Sequence, residues 1–259
     1  MRLHAVTEGA GGAPPLVLLC SLGSTVDMWA PQRTELSGDR RVIALDTRGH
    51  GGSPVVDGPY TVADLGADVL ETLDDLGVTR ASFAGVSLGG AVAQWIALEA
   101  PERVSTLALL CTSADFGGSD AAAAAPWLDR AATVRDGGAE AVADAVVARW
   151  FSEAYAAAEP RTVEHMRAMI AGTPAEGYAA CCEAIAAWDA VGRLGSITAP
   201  TLVVAGAEDP ATPPAHGRVL ADAIPGARFE LVAGAAHLAS YQRPEVVTGL
   251  LRQHTEGHA

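Results

Sequence analysis

The feature that most constrains this chain is a series of six short, almost wholly apolar runs. They are "PLVLLC" (Pro15 to Cys20), "RVIALD" (Arg41 to Asp46), "ASFAGV" (Ala81 to Val86), "VSTLALLC" (Val104 to Cys111), "TLVVAGA" (Thr201 to Ala207) and "RFELVAG" (Arg228 to Gly234). Runs of this length without polar alternation read as strands buried on both faces, the condition of a parallel sheet covered by helices. Helical patterns lie between them. The stretch "TVADLGADVLETLDDLG" opens with Thr61 as N-cap and Asp64 three residues on, and closes at Gly77. The alternation predicts an α/β chain with a mostly parallel, doubly wound sheet, its ligand crevice at the carboxyl ends of the strands.

The alternation stops between about Asp115 and Arg193. No strand pattern appears there, and four helical segments follow one another: Ala121 to Thr133, Ala139 to Phe151, Arg161 to Ala171 and Glu176 to Asp189, separated by Gly-Gly pairs and prolines. Consecutive helices without strands do not fit simple β-α-β units, so this part reads as an all-helical cap inserted over the crevice. The expected division is a core of residues 1–114 and 194–259 with a cap of 115–193.

Length and charge exclude several function classes. A chain of 259 residues with 49% hydrophobic content can bury one large core. Its 17 basic residues against 31 acidic ones give a net charge of −14, a field that repels nucleic acid and anionic membranes. All the basic residues are Arg, and Lys and Asn are absent. No run of about 18 apolar residues and no clear signal-peptide cleavage site occur, so a cytoplasmic setting is expected. The four cysteines, Cys20, Cys111, Cys181 and Cys182, match neither a zinc site nor a disulfide framework and read as buried, reduced thiols.

Gly85-Val86-Ser87-Leu88-Gly89 fits G-x-S-x-G between a buried strand and a helix, the context this pattern requires. The glycines are needed because a Cβ at either position would collide with the neighbouring strand or helix. A serine hydroxyl is a poor nucleophile at neutral pH and needs a base, which needs an orienting carboxylate. For a nucleophile so placed, the acid and then the histidine follow in later loops. "AGAEDPATPP" supplies Glu208 and Asp209, of which Asp209 is favoured because the next residue is a proline that sets the loop direction; "AGAAHLASY" supplies His237. The other histidines are set aside: His50 as a loop-packing residue, His216 near a helix start, His254 and His258 in a polar tail, and His4 and His165 with no carboxylate-bearing loop nearby in sequence. A developing oxyanion needs donors, expected from the backbone N–H groups of Leu88 and of Leu22 in "CSLG". Cys20 ends a buried run and reads as a core thiol.

Taken in order, "LCSLGSTVDMWAPQ", "VIALDTRGHGGSP", "FAGVSLGGAVAQWIALEAPERV", "CCEAIAAWD", "PTLVVAGAEDPATPPAHGRVLADAIPGA" and "AAHLASYQRPE" resemble the 3-oxoadipate enol-lactonases over nearly the whole chain. These are α/β-hydrolases of aromatic degradation. The resemblance implies an eight-stranded α/β-hydrolase fold with a helical cap, the triad Ser87, Asp209 and His237, no metal or cofactor, and a small-molecule lactone or ester as substrate. Arg130, with Trp127 and Trp150, is the candidate for holding the lactone's carboxylate. The sequence departs from its relatives at Cys20, where they carry Asn, and at Leu238-Ala239-Ser240, where they often read Leu-Ser-Asn. The same catalytic set would also serve another carboxylesterase or lactonase, a C–C bond hydrolase or a cofactor-free perhydrolase, and the scaffold also allows a ligand receptor.

Overall fold

A computed structural model describes residues 1–256. The six apolar runs become β2 (Pro15–Leu19), β3 (Arg41–Leu45), β4 (Ala81–Val86), β5 (Val104–Leu110), β6 (Thr201–Gly206) and β7 (Arg228–Val232). They run parallel in one sheet, and β1 (Ala5–Glu8) adds an antiparallel edge to β3. Among the described residues the sheet thus has seven strands, one fewer than the resemblance implies. A single strand, β1, precedes the turn at Gly9, whose φ of 90° sends the chain into β2. Every residue of β4, β5 and β6 is buried, as their unbroken apolarity demands.

The order β1-β3-β2-β4-β5-β6-β7 places β2 between β3 and β4. Strand order therefore reverses at β2, and crevices form at the carboxyl ends of strands beside such a switch point. Because Leu19 pairs with Gly85, the loop leaving β2 is brought alongside the turn leaving β4. The core helices are α1 (Ala30–Leu36), α2 (Val62–Asp75) and α3 (Leu88–Glu99). Thr61 caps α2 through a reciprocal box with Asp64: the Asp64 N–H donates to Thr61 Oγ1 at 3.1 Å and the Thr61 N–H to Asp64 Oδ2 at 2.9 Å.

Between β5 and β6 the chain forms five helices where four were expected: α4 (Ala121–Gly137), α5 (Glu140–Trp150), α6 (Glu153–Ala158), α7 (Pro160–Ala171) and α8 (Ala175–Ala186). The additional one, α6, is six residues long and started by Ser152, whose Oγ accepts from the Tyr155 N–H. It is too short to show an apolar period. Asp115 and Asp189 form an isolated antiparallel bridge, with the Ala190 N–H donating to Ala114 O at 2.8 Å and the Phe116 N–H to Trp188 O at 3.2 Å. The helical segment thus leaves and rejoins the sheet through a two-stranded neck. After β6 follow α9 (Pro214–Ala223), then β7, α10 (Ala239–Gln242) and α11 (Pro244–Thr255). His258 lies outside the described residues. His254 is not in a polar tail: it lies in the last turn of α11, with Nε2 3.0 Å from Leu107 O.

Candidate active site

Ser87 stands between β4 and α3 with φ 56° and ψ −115°, a conformation that costs a non-glycine residue about 1–3 kcal/mol. Its N–H donates to Leu110 O at 3.0 Å and its carbonyl accepts from Thr112 Oγ1 at 2.7 Å, so the neighbouring strand's end holds the turn. The two glycines are sterically obligatory. A Cβ on Gly85 would lie 2.2 Å from Gly89 O, and one on Gly89 would lie 2.4 Å from Leu19 O. Strand, turn and helix are therefore packed backbone to backbone, and Ser87 is held at the carboxyl end of the central strand β4.

Asp209 and His237 come from the loops after β6 and β7. Their side chains are nearly fully buried, and His237 Nδ1 lies 2.9 Å from Asp209 Oδ2. The carboxylate has further donors. Oδ1 accepts from the N–H groups of Ala211 at 2.8 Å and Thr212 at 3.0 Å, and Oδ2 accepts from Thr212 Oγ1 at 2.7 Å. Burial alone would push the carboxyl up. The opposing His237 charge and the hydrogen bonds from His237 and Thr212 outweigh it and hold Asp209 below its ordinary value. The carboxylate therefore keeps its charge at neutral pH and fixes the imidazole proton on Nδ1, leaving the Nε2 lone pair for another partner. Glu208 is exposed, as expected of the rejected carboxylate.

The His237 loop is tied to the helical segment. The Leu238 N–H donates to Trp150 O at 2.9 Å. Buried Gln242 accepts from the N–H groups of Ala236 at 3.1 Å and Ser152 at 3.2 Å, and donates to Ser152 Oγ at 2.6 Å and Gly234 O at 2.8 Å. These bonds hold α5 and the histidine in one frame.

Ser87 and His237 line a cleft together with Ser21, Leu22, Trp127, Arg130 and Trp150. The three residues selected for carboxylate binding are thus brought to the same cavity as Ser87. Arg130 lies over the Trp127 ring, 4.7 Å from its centroid, and Trp127 meets Phe116 edge to face. Leu22 also lines the cleft. The amides on either side of it are occupied: the Ser21 N–H points to Met28 Sδ at 3.3 Å, and the Gly23 N–H donates to His50 Nε2 at 3.0 Å. The Leu22 N–H between them has no acceptor among the described residues. Leu88 opens α3, so its N–H is one of the first-turn donors that a helix leaves unpaired.

Three residues of the site escaped sequence reasoning. Arg149 and Tyr178 line the cleft from α5 and α8, and nothing in an Ala-rich helix marks which side chains face inward. His50 proves to be more than a loop-packing residue. It is fully buried; its Nε2 accepts from the amide after Leu22, and its Nδ1–H donates to Arg48 O at 3.1 Å. Burial lowers its pKa and keeps it neutral, the form able to accept that bond. His4, set aside for want of a nearby carboxylate, has Nδ1 2.7 Å from Asp46 Oδ2, a partner 42 residues on. His216 reaches Ser113 Oγ at 2.8 Å, and His165 is exposed.

The four cysteines are buried and free, and burial raises the Cys20 thiol well above its ordinary value. Cys20, Ala239 and Ser240, the departures from related sequences, are buried and lie outside the cleft lining, so they alter packing behind the site. Among the described residues no group of three His, Cys, Asp or Glu side chains is placed to hold a metal ion, and no helix is long and apolar enough to cross a membrane.

A serine on a strand-to-helix turn, with an acid and a histidine on two later strand ends, defines an α/β-hydrolase, and the family model described as the alpha/beta hydrolase fold matches residues 14–244. The chain is 37% identical to 3-oxoadipate enol-lactonase 2 of Acinetobacter baylyi, over 95% of this chain and 90% of that protein. It is 35% identical to 3-oxoadipate enol-lactonase 1 of the same organism, over 94% and 89%. The crystal structure of the enol-lactonase from Burkholderia xenovorans matches it with a TM-score of 0.93 and 40% identity, covering 97% of this chain and 95% of that one. The chain belongs to the 3-oxoadipate enol-lactonase family of α/β-hydrolases.

Proposed function

We propose that this protein hydrolyses 3-oxoadipate enol-lactone to 3-oxoadipate through an acyl-enzyme on Ser87, a step of aromatic catabolism in the β-ketoadipate route. The observation that carries the reading is the cleft itself. Ser87 and His237 share it with two guanidinium groups, Arg130 and Arg149, neither of which has a carboxylate partner among the described residues. In a chain of net charge −14 such a pair suits a substrate that carries its own carboxylate. We assign the core to residues 1–114 and 194–259 and the cap, which supplies both arginines, to 115–193. A cytoplasmic setting suits the four reduced thiols.

His237 Nε2 takes the Ser87 proton as Oγ attacks the ring carbonyl, while Asp209 stabilises the imidazolium that forms. The N–H groups of Leu22 and Leu88 receive the oxyanion, each worth about 3 kcal/mol in comparable sites. His50 supports Leu22 by holding the next amide. Collapse of the intermediate breaks the ring C–O bond as His237 returns its proton to the departing oxygen, and the enol so formed tautomerises to the ketone, which draws the reaction forward. His237 then deprotonates a water that attacks the acyl ester, releasing 3-oxoadipate and restoring Ser87.

The test is turnover of 3-oxoadipate enol-lactone beside a neutral aryl ester and a meta-cleavage dienoate by the purified protein. A strong preference in kcat/KM for the lactone supports the reading. Preference for the aryl ester makes the protein a general esterase, preference for the dienoate makes it a C–C bond hydrolase, and no turnover of any of the three makes it a ligand receptor.

A further inference from the structure

Tyr178 on α8 is fully buried, and its hydroxyl has no hydrogen-bond partner among the described residues. Buried phenols ordinarily find one, because the apolar ring gains from burial while the hydroxyl loses water. The ring already has a packing task. A Cβ on Gly23 would stand 2.9 Å from Tyr178 Cε2, and the ring stacks on His50 with centroids 6.4 Å apart, so Tyr178 supports the loop that presents Leu22. Phenylalanine would serve that task equally well. The hydroxyl has another use.

Its surroundings indicate what that use is. Tyr178 lines the cleft with Ser87 and His237, and the charged groups acting on it are Arg130 and Arg149. Arg130 approaches the hydroxyl without completing a hydrogen bond to it. Arg149 is disfavoured as a cation, first by burial and then by the charge of Arg130. Its Nε–H donates to Ala145 O at 3.3 Å, which leaves its terminal nitrogens for another acceptor. The carboxylate charge that acts on Arg149, Asp209, is engaged by His237 and Thr212. Two mutually repelling cations and an unpartnered hydroxyl in the lining of one cleft form a set of donors completed by an anion.

We propose that Tyr178 is a specificity-determining residue whose hydroxyl donates to the free carboxylate of the bound lactone, which it shares with Arg149 and Arg130 while the ring ester lies over Ser87. The inference rests on the enol-lactonase reading of the site. It adds the phenol and a second arginine to the single arginine that the sequence suggested.

The test is Tyr178→Phe, which preserves the ring against Gly23 and His50, assayed on 3-oxoadipate enol-lactone and on 4-nitrophenyl acetate. The ratio of the lactone KM to the aryl-ester KM is expected to rise about tenfold, with the lactone loss carried by KM rather than kcat, and the melting temperature of the free protein is expected to hold or rise. Arg149→Gln is expected to move the same ratio, and the double variant to lose less than the product of the two single effects. An unchanged ratio, or a loss carried by kcat on both substrates, overturns the proposal. Inhibition of aryl-ester turnover by adipate separates it from the substrate reading. If the lactone is not turned over yet adipate binds about tenfold more weakly to Tyr178→Phe, the anion end stands and the lactone reading falls. If the lactone is turned over and Tyr178→Phe leaves both its KM and adipate inhibition unchanged, the proposal alone falls.

Discussion

Replacing Asp209 by Asn separates the electrical role of the acid from its structural one. The amide oxygen of Asn can still accept the two N–H bonds of Ala211 and Thr212 that Oδ1 accepts at 2.8 and 3.0 Å. On the other side the NH₂ group would face His237 Nδ1–H and the Thr212 hydroxyl, donor against donor. Thr212 can rotate its proton away and accept. The imidazole has only one way to comply, which is to move its proton from Nδ1 to Nε2. Every polar atom is then satisfied, so stability should fall by only about 1 kcal/mol. Nε2, however, now carries a proton toward Ser87 and cannot remove one. The same exchange in a serine protease lowers kcat by about 10⁴, close to 5.5 kcal/mol of barrier, and a loss of that order is expected here. Because Asp209 titrates below its ordinary 3.8, the comparison at neutral pH is free of any change in the wild-type charge. The assay is kcat/KM on the enol-lactone and on an aryl ester, beside a thermal melt and ¹⁵N NMR of the His237 ring. A variant within tenfold of wild type, or one whose activity loss matches its loss of folded protein, would refute the tautomer argument.

Two further outcomes follow from the surrounding contacts. Arg130→Ala should raise KM for the anionic lactone about tenfold while changing a neutral ester much less, with the gap narrowing at high salt; equal effects on the two would remove Arg130 from the site. For His50, the folded protein keeps the ring neutral while the unfolded chain protonates it near its ordinary 6.5. Stability contributed by the neutral ring is therefore complete above that value and falls with pH below it, by up to about 1.4 kcal/mol per unit. In His50→Gln the amide oxygen accepts from Gly23 without titrating, so denaturant melts between about pH 5 and 6.5 should be flatter than wild type; parallel slopes would show that His50 is not the titrating group.

Much of this was legible in the chain because it is local. Each buried strand is an unbroken apolar run, the cap of α2 is two residues three apart, and Ser87 lies between two glycines whose necessity is a short-range clash. Asp209 was separable from Glu208 by a proline alone. What stayed hidden is long-range or weakly patterned. β1 is four half-exposed residues at a sheet edge with no apolar signature. α6 is too short for a period, and the Ala-rich α5 and α8 do not announce that Arg149 and Tyr178 face the cleft. The partners of His4, His50 and His254 are 42, 27 and 147 residues away, distances at which only the assembled sheet decides who meets whom.

The acyl-enzyme on Ser87 is tested most directly by rapid quenching of the purified enzyme with 3-oxoadipate enol-lactone, followed by intact-mass and peptide mass analysis. Ring opening expels no fragment, so a transient adduct equal to one whole lactone molecule is expected on the peptide that carries Ser87. The same adduct should be absent from Ser87→Ala. Turnover of the lactone with the adduct on another residue, or with Ser87→Ala still active, would contradict it.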